Sequence, residues 1–138
     1  MRRRLAVPMV SAAVAIGTLG VFTGSASAAS WEVNTGIETS YDPDELGYFN
    51  QRGDACAIGS PSGRVCFDRG DDGIYVRDEK NDHKSVTGYW LTGNRKGKCV
   101  NKAGYGKWVY CSKNFTDHKA IDIWLENNGH KFLVTGNT

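Results

Sequence analysis

Four cysteines are the feature that most limits how this chain can fold. They form two closely spaced pairs, Cys56 with Cys66 and Cys99 with Cys111. Each pair brackets a turn-rich segment, GSPSG at 59–63 and NKAGYG at 101–106, and a hairpin would bring its two thiols together. Neither pair has the C-x-x-C spacing typical of a zinc site. We therefore predict two local disulfides, each contributing about 3 kcal/mol by constraining the unfolded chain.

The N-terminal segment predicts an oxidising compartment for these thiols. Three arginines precede an apolar run from Leu5 to about Phe22, and Ala26 and Ala28 fit an A-x-A cleavage site. This pattern predicts a signal peptide over residues 1–28 and a secreted, extracellular mature chain. Because glycines interrupt the apolar run and it lacks the ~20 apolar residues that a span requires, we expect no membrane span. An even cysteine set in an exported chain is typical of disulfides.

The rest of the chain has the periodicity of β-strands. Short runs alternate polar with β-branched or aromatic residues, and no extended helical stripe appears. The predicted strands are 63–68, 73–78, 85–91, 107–112, 120–126 and 130–135, separated by turns that include DRGDDG, TGNRKGK and ENNG. Asn128-Gly129 is a strong hairpin signal, which sets the last two strands antiparallel. We predict an all-β domain over residues 55–138, a small antiparallel sandwich or barrel.

Charge divides the chain into an acidic and a basic region. Without the signal peptide, 14 basic residues stand against 15 acidic ones, a net charge of −1 with histidines neutral. Residues 30–54 carry a net charge of −5 and residues 93–119 a net charge of +6. Near-neutral total charge argues against nucleic acid as the main partner, because such binding is dominated by phosphate neutralisation. The basic region is either a solvated face or a surface for an acidic partner.

Residues 29–54 form an N-terminal arm ahead of the first cysteine. Its apolar residues follow no clear period. One interpretation is a mobile terminus, with one strand able to pair onto the sheet. The other is an extended segment that docks on another protein by strand addition. The arm and one outward tryptophan on the strand at 120–126 supply the predicted binding residues, which are Trp31, Ile37, Tyr41, Leu46, Tyr48, Phe49 and Trp124.

One phrase occurs twice, as NDHKSV at 81–86 and as TDHKAI at 116–121. Two histidines with neighbouring lysines could cleave a phosphodiester, with one imidazole as base and the other as acid. Alternatively, the phrase marks two equivalent strand entries, because the residues that follow it run in the same register. We favour strand entry and predict no catalytic residue. A small secreted hydrolase or nuclease using His83 and His118 is the alternative.

The stretch DRGDDGIYVRDE at 68–79 partly matches a calcium-binding EF loop. Gly70 stands where the third position needs an oxygen ligand, and residues 74–78 alternate as a strand where the motif needs a helix. We therefore predict an ordinary Asp-Gly turn, with loose calcium binding there as the alternative. No cofactor and no metal are predicted for the chain.

Several stretches resemble known secreted proteins. Arg64-Val-Cys66-Phe67-Asp68, Asp82-His83-Lys84-Ser85-Val86 to Trp90, and Cys99-Val-Asn-Lys102 through Cys111 resemble small secreted actinobacterial β proteins. Ser62-Gly-Arg-Val-Cys-Phe67 and Tyr110-Cys-Ser-Lys-Asn-Phe115 are similar to βγ-crystallin-type secreted peptidase inhibitors, although Asp117 stands where that pattern ends in Gly. The latter resemblance implies a rigid β scaffold that presents a loop to a protease. The chain is also similar to connector subunits of secreted multi-subunit toxin particles in its small size, its predicted export and its N-terminal arm ahead of a compact domain.

The combined prediction is a secreted, non-enzymatic module that binds another secreted or cell-surface protein. Two forms stay open at this point. An adaptor or assembly subunit of an extracellular complex, such as an antibacterial toxin complex, would bind through the arm. A protease inhibitor would present a stiff loop, such as GSPSG at 59–63, to a protease cleft.

Overall fold

The computed structural model describes residues 30–43, 54–127 and 130–138. Ten strands make up its regular structure: β1 Trp31–Thr35, β2 Ile37–Thr39, β3 Ala55–Ser60, β4 Gly63–Asp68, β5 Gly73–Asp78, β6 Val86–Thr92, β7 Arg95–Asn101, β8 Trp108–Ser112, β9 Ala120–Asn127 and β10 His130–Asn137. The predicted all-β class is confirmed. No helix in these three ranges is long and apolar enough to cross a membrane. The predicted signal peptide lies outside the described residues.

The strands form two five-stranded sheets that enclose one main core. Sheet A has the order β1-β7-β6-β9-β10, and sheet B has the order β2-β8-β5-β4-β3. The inner faces contribute the buried residues Val65, Phe67, Ile74, Val76 and Val109 from sheet B and Trp90, Ile121, Ile123 and Leu125 from sheet A. Strand pairs are antiparallel except for β1 with β7, which is parallel. The molecule is therefore a sandwich, one of the two predicted architectures.

Six strands agree with the sequence prediction. Strands β4 and β5 have the predicted bounds, and β6, β8, β9 and β10 differ by one or two residues at their ends. The antiparallel pairing of β9 with β10 is also confirmed, although the turn residues 128 and 129 lie outside the described part. The stretch TGNRKGK is not wholly a turn as predicted. Only Gly93 and Asn94 turn the chain, and β7 begins at Arg95.

Strand β7 has an unusual pattern, with small or polar residues on its inner side. Lys96 and Lys98 point outward, whereas Gly97 and Asn101 are buried. A Cβ atom at Gly97 would lie 2.4 Å from a ring carbon of Trp90, the largest fully buried side chain. Glycine at this position thus makes room for the tryptophan on the neighbouring strand β6.

Both predicted disulfides are confirmed, but only one of them lies in a hairpin. Cys56 and Cys66 are direct partners on β3 and β4, with Cα atoms 4.1 Å apart. Cys99 lies on β7 of sheet A and Cys111 on β8 of sheet B, with Cα atoms 5.9 Å apart. The second bond therefore joins the two sheets. The pairing was predicted correctly for this bond, and the hairpin invoked to explain it was wrong.

The described part of the arm is paired to both sheets. Strand β1 adds to β7 at the edge of sheet A, and β2 adds to β8 at the edge of sheet B. The chain crosses between the sheets at Gly36, whose N–H donates to the carbonyl of Val100. A Cβ at Gly36 would lie 2.4 Å from Cγ2 of Val109. Of the two interpretations of the arm, residues 31–39 follow the one in which a strand pairs onto the sheet.

Candidate functional site

The two histidines of the repeated phrase share a backbone conformation and lie far apart. His83 and His118 both adopt the left-handed conformation, with φ of 58° and 61°. They precede β6 and β9, which are antiparallel neighbours, so the two turns lie at opposite ends of sheet A. Val86 begins β6 six positions before Thr92, the residue that pairs with Ile121 near the start of β9, and six positions correspond to about 20 Å along the strand. A general base and a general acid at this separation cannot both reach the same phosphodiester group.

The turn at His83 borders a cavity with a volume of about 420 Å³. The buried amide of Asn101 lines it, but every polar group of that amide is used. Its nitrogen donates to the carbonyls of Val76 and Lys107 at 2.9 and 2.8 Å, and its oxygen accepts from the N–H of Ala103 at 2.9 Å. The cavity therefore has a structural amide in its wall and no free buried amide group for a ligand.

The acidic turn between β4 and β5 uses its carboxylates within the protein. Asp68 accepts the N–H of Gly70 at 2.7 Å, and Asp71 accepts the hydroxyl of Tyr75 at 2.6 Å. Asp72 accepts the N–H of Phe115 at 3.1 Å. In the described ranges no group of three or more His, Cys, Asp or Glu side chains is arranged to hold a metal ion. These carboxylates stabilise a turn, which is the ordinary interpretation of the Asp-rich stretch.

The segment GSPSG forms a tight hairpin turn and no projecting loop. Ser60 and Gly63 pair directly, so only Pro61 and Ser62 connect β3 to β4. The hydroxyls of Ser60 and Ser62 are hydrogen-bonded to each other at 2.7 Å, and Ser60 is buried. A protease-binding loop must reach into a cleft as an extended segment, which a two-residue connection at this position does not supply.

The basic region finds its acidic partner in the arm of the same chain. Glu32 pairs with Arg95 at 2.9 Å and with Lys113 at 3.2 Å. Glu38 pairs with Lys107 at 2.8 Å. Hydrogen bonding to Arg95, reinforced by Lys113, holds the pKa of the Glu32 carboxyl below its ordinary value even though partial burial opposes this shift. The opposite charges noted in the sequence therefore attach the arm to β7 and to both ends of β8.

The predicted binding residues of the arm differ in exposure and contacts. Ile37 is 75% exposed at the edge of sheet B. The ring of Tyr41 packs against Tyr75, with centroids 5.3 Å apart, and its hydroxyl donates to Asp68 at 3.3 Å. Trp31 lies on sheet A and remains 45% exposed. Leu46, Tyr48 and Phe49 lie outside the described residues.

Trp124 lies on the outer face of sheet A, as strand parity predicts, but it is only 6% exposed. Its indole stacks on Tyr89, with centroids 5.4 Å apart and planes at 12°, and the edge of Trp31 covers it at 6.3 Å. The arm packs against the same face and covers most of the ring, so Trp124 mainly supports this surface. Its role as a binding contact stays a prediction.

Sequence reasoning missed most of the exposed residues around Trp124. The outer face of sheet A also carries exposed Val33, Leu91 and Leu133. Strand parity could have identified two of them, because Leu91 must point away from the core side that Trp90 occupies, and Leu133 pairs directly with Trp124. No comparable signal exists for Val33, since it lies in an arm without a clear period.

Comparison of the chain with known families, curated proteins and solved structures gives no match.

Proposed function

We propose that this protein is a secreted, non-enzymatic protein-binding module, and that it acts as an assembly subunit through its arm. The observation that carries the proposal is the position of β1 and β2, each the outermost strand of its sheet. Their outward residues are among the most exposed apolar side chains described, with Val33 at 61% and Ile37 at 75%. An open strand edge with exposed side chains is the arrangement that strand addition uses.

The same geometry favours an assembly subunit over a protease inhibitor. The segment suggested as an inhibitory loop is the two-residue turn at Pro61 and Ser62. A small hydrolase using His83 and His118 is disfavoured by their positions at opposite ends of sheet A. Both alternatives thus lose the feature on which they depended, whereas the arm keeps its exposed edge.

The two disulfides support the extracellular location. Cys56–Cys66 and Cys99–Cys111 leave no free cysteine, which is compatible with an oxidising environment. The partner is then another secreted or cell-surface protein. A fixed edge strand suits such a partner, because little conformational entropy is lost when an already ordered strand is extended by another.

The test is capture of the partner by tagged mature protein from culture supernatant. Ile37→Asp and Val33→Asp, made separately, place a charge on the binding edge, and we expect each to reduce recovery of the partner at least about tenfold. Ile58→Asp is the matched control, since Ile58 is 54% exposed on β3, at the other edge of sheet B. Equal loss with Ile58→Asp, or full recovery with both arm variants, would contradict the proposal.

A further inference from the structure

The outer face of sheet A is an open surface with an ordered arrangement of charges. Four of its apolar residues are substantially exposed: Trp31 at 45%, Val33 at 61%, Leu91 at 39% and Leu133 at 49%. Two cross-strand rows carry most of the outward side chains. The first row runs Trp31, Lys96, Leu91, Asp122, Thr135, and the second runs Val33, Lys98, Tyr89, Trp124, Leu133.

These rows place opposite charges on the two sides of the central strand β6. Lys96 and Lys98 lie on β7, on one side, and Asp122 and Glu126 lie on β9, on the other. The outermost strands add Trp31 and Val33 on β1 and Leu133 on β10, so each half of the face has a charged column with exposed apolar residues at its margin. When a second copy of this face is rotated by 180°, its positive column lies over the negative column of the first copy, and its negative column lies over the positive one.

We propose that a second copy of this chain packs face to face on the outer face of sheet A, about a two-fold axis parallel to β6. This rotation reverses the strand order, so that β7 of one copy lies over β9 of the other. Lys96 then faces Asp122 of the second copy, and Val33 faces Leu133. Leu91 lies on the axis and meets its own counterpart.

Charge and size both favour a second copy as the occupant. A two-fold axis across the strands would instead place each lysine column over the lysine column of the other copy, which costs energy. Sheets that pack face to face lie about 10 Å apart, a distance that side chains of this size fill. Five strands about 4.8 Å apart and about 20 Å long give roughly 1,000 Å² in total from the two copies, at the lower end for specific interfaces. The expected dimer is therefore weak.

The first test is the oligomeric state of the intact mature chain by analytical ultracentrifugation over a range of micromolar concentrations. We expect a reversible dimer for the wild type. Leu91→Glu brings two carboxylates together on the axis, and we expect it to weaken the dimer at least about a hundredfold. Ile58→Glu, at a site on β3 that is 54% exposed against 39% for Leu91, is the control and should leave the dimer unchanged, with thermal unfolding confirming that both variants are folded.

The second test is charge exchange between the two columns. Lys96→Glu alone and Asp122→Lys alone each place like charges in contact, and each should weaken the dimer about tenfold. The double variant restores opposite charges in both copies and should recover most of the lost affinity. A monomeric wild type, a dimer insensitive to Leu91→Glu, equal loss with Ile58→Glu, or no recovery in the double variant would each overturn the proposal. Ile37→Asp lies on sheet B and should not change the dimer, whereas Val33 belongs to both surfaces, so the Ile37 variant separates failure of the dimer from failure of partner capture.

Discussion

The two Asp-His-Lys turns have the same local structure and different tertiary surroundings. In both, the histidine adopts a positive φ, and the strand that follows buries alternate residues against sheet B. The turn at His83 is closed by its own carboxylate, since Asp82 accepts the N–H of Lys84 at 3.1 Å. The turn at His118 is closed by Thr138, whose carbonyl accepts the N–H of His118. The repeated Asp-His-Lys motif therefore determines the backbone conformation of the turn, whereas residues distant in the sequence determine how stable that conformation is.

The largest effect is expected from removing the distant anchor of the second turn. The buried hydroxyl of Thr138 accepts the N–H of Lys119 at 3.0 Å and lies 2.7 Å from the carbonyl of Thr116. Thr138→Val leaves these groups unpaired and should lower the free energy of unfolding by about 2 to 3 kcal/mol. Urea unfolding measures this change.

Thr135→Val is the matched control for that substitution. The hydroxyl of Thr135 is exposed and donates to Asp122, so its loss should cost less than about 0.5 kcal/mol. If the two substitutions cost the same, Thr138 does not anchor the second turn.

A smaller and equal effect is expected at the two histidines. A β-branched residue is strained at positive φ by about 1 to 2 kcal/mol, whereas glycine is not. His83→Val should therefore be less stable than His83→Gly by that amount, and His118→Val less stable than His118→Gly by a similar amount. Unequal penalties, measured by urea unfolding of the four variants, would show that the two turns do not share a backbone conformation.

The two turns are closed by different hydrogen-bond acceptors, and the exchange of single amide protons distinguishes them. Asp82→Ala removes the acceptor of the Lys84 N–H, so exchange of that amide with solvent should become faster. Asp117→Ala should leave exchange at Lys119 unchanged, because that N–H is bonded to Thr138. Hydrogen exchange by NMR provides both measurements. Faster exchange at Lys119 in Asp117→Ala would contradict the assignment of Thr138 as its acceptor.

The smallest effect is expected when both imidazoles are removed together. The double variant His83→Gly and His118→Gly should fold and capture the partner as the wild type does, because neither ring lies on the arm. Partner capture and hydrolysis of phosphodiester substrates are measured on the same preparations. Loss of a hydrolytic activity that the wild type possesses would restore the enzyme hypothesis.

Much of the fold could be predicted because the inner side chains have the usual character. Strands β4 and β5 alternate large apolar residues such as Val65 and Val76, and their bounds agree with the sequence prediction. Strand β7 could not be recognised in the same way. Its inner residues include Gly97 and Asn101, while lysines occupy the outward positions, so its hydrophobic pattern is absent.

The arm and the candidate binding surfaces were harder to predict for a related reason. Apolar residues on a strand usually point into the core, whereas Trp31 and Val33 point outward and remain exposed. The direction of β1 depends on β7, more than 60 residues later in the chain, and no local signal encodes a parallel pairing over such a separation. The charges of Glu32 and Arg95 did carry information, but only the folded chain shows that they meet each other.

The crossing of the arm at Gly36 has a consequence for the order of folding. The arm is synthesised before its binding positions on β7 and β8, and those positions exist together only after the two sheets have met. Contacts of such high sequence separation form late, because closing a long loop is slow. During that interval Arg95, Lys107 and Lys113 lack their acidic partners from the arm. Until the arm has paired, β7 and β8 are the edge strands of their sheets, so the acidic arm is the element that closes both basic edges against pairing with other chains.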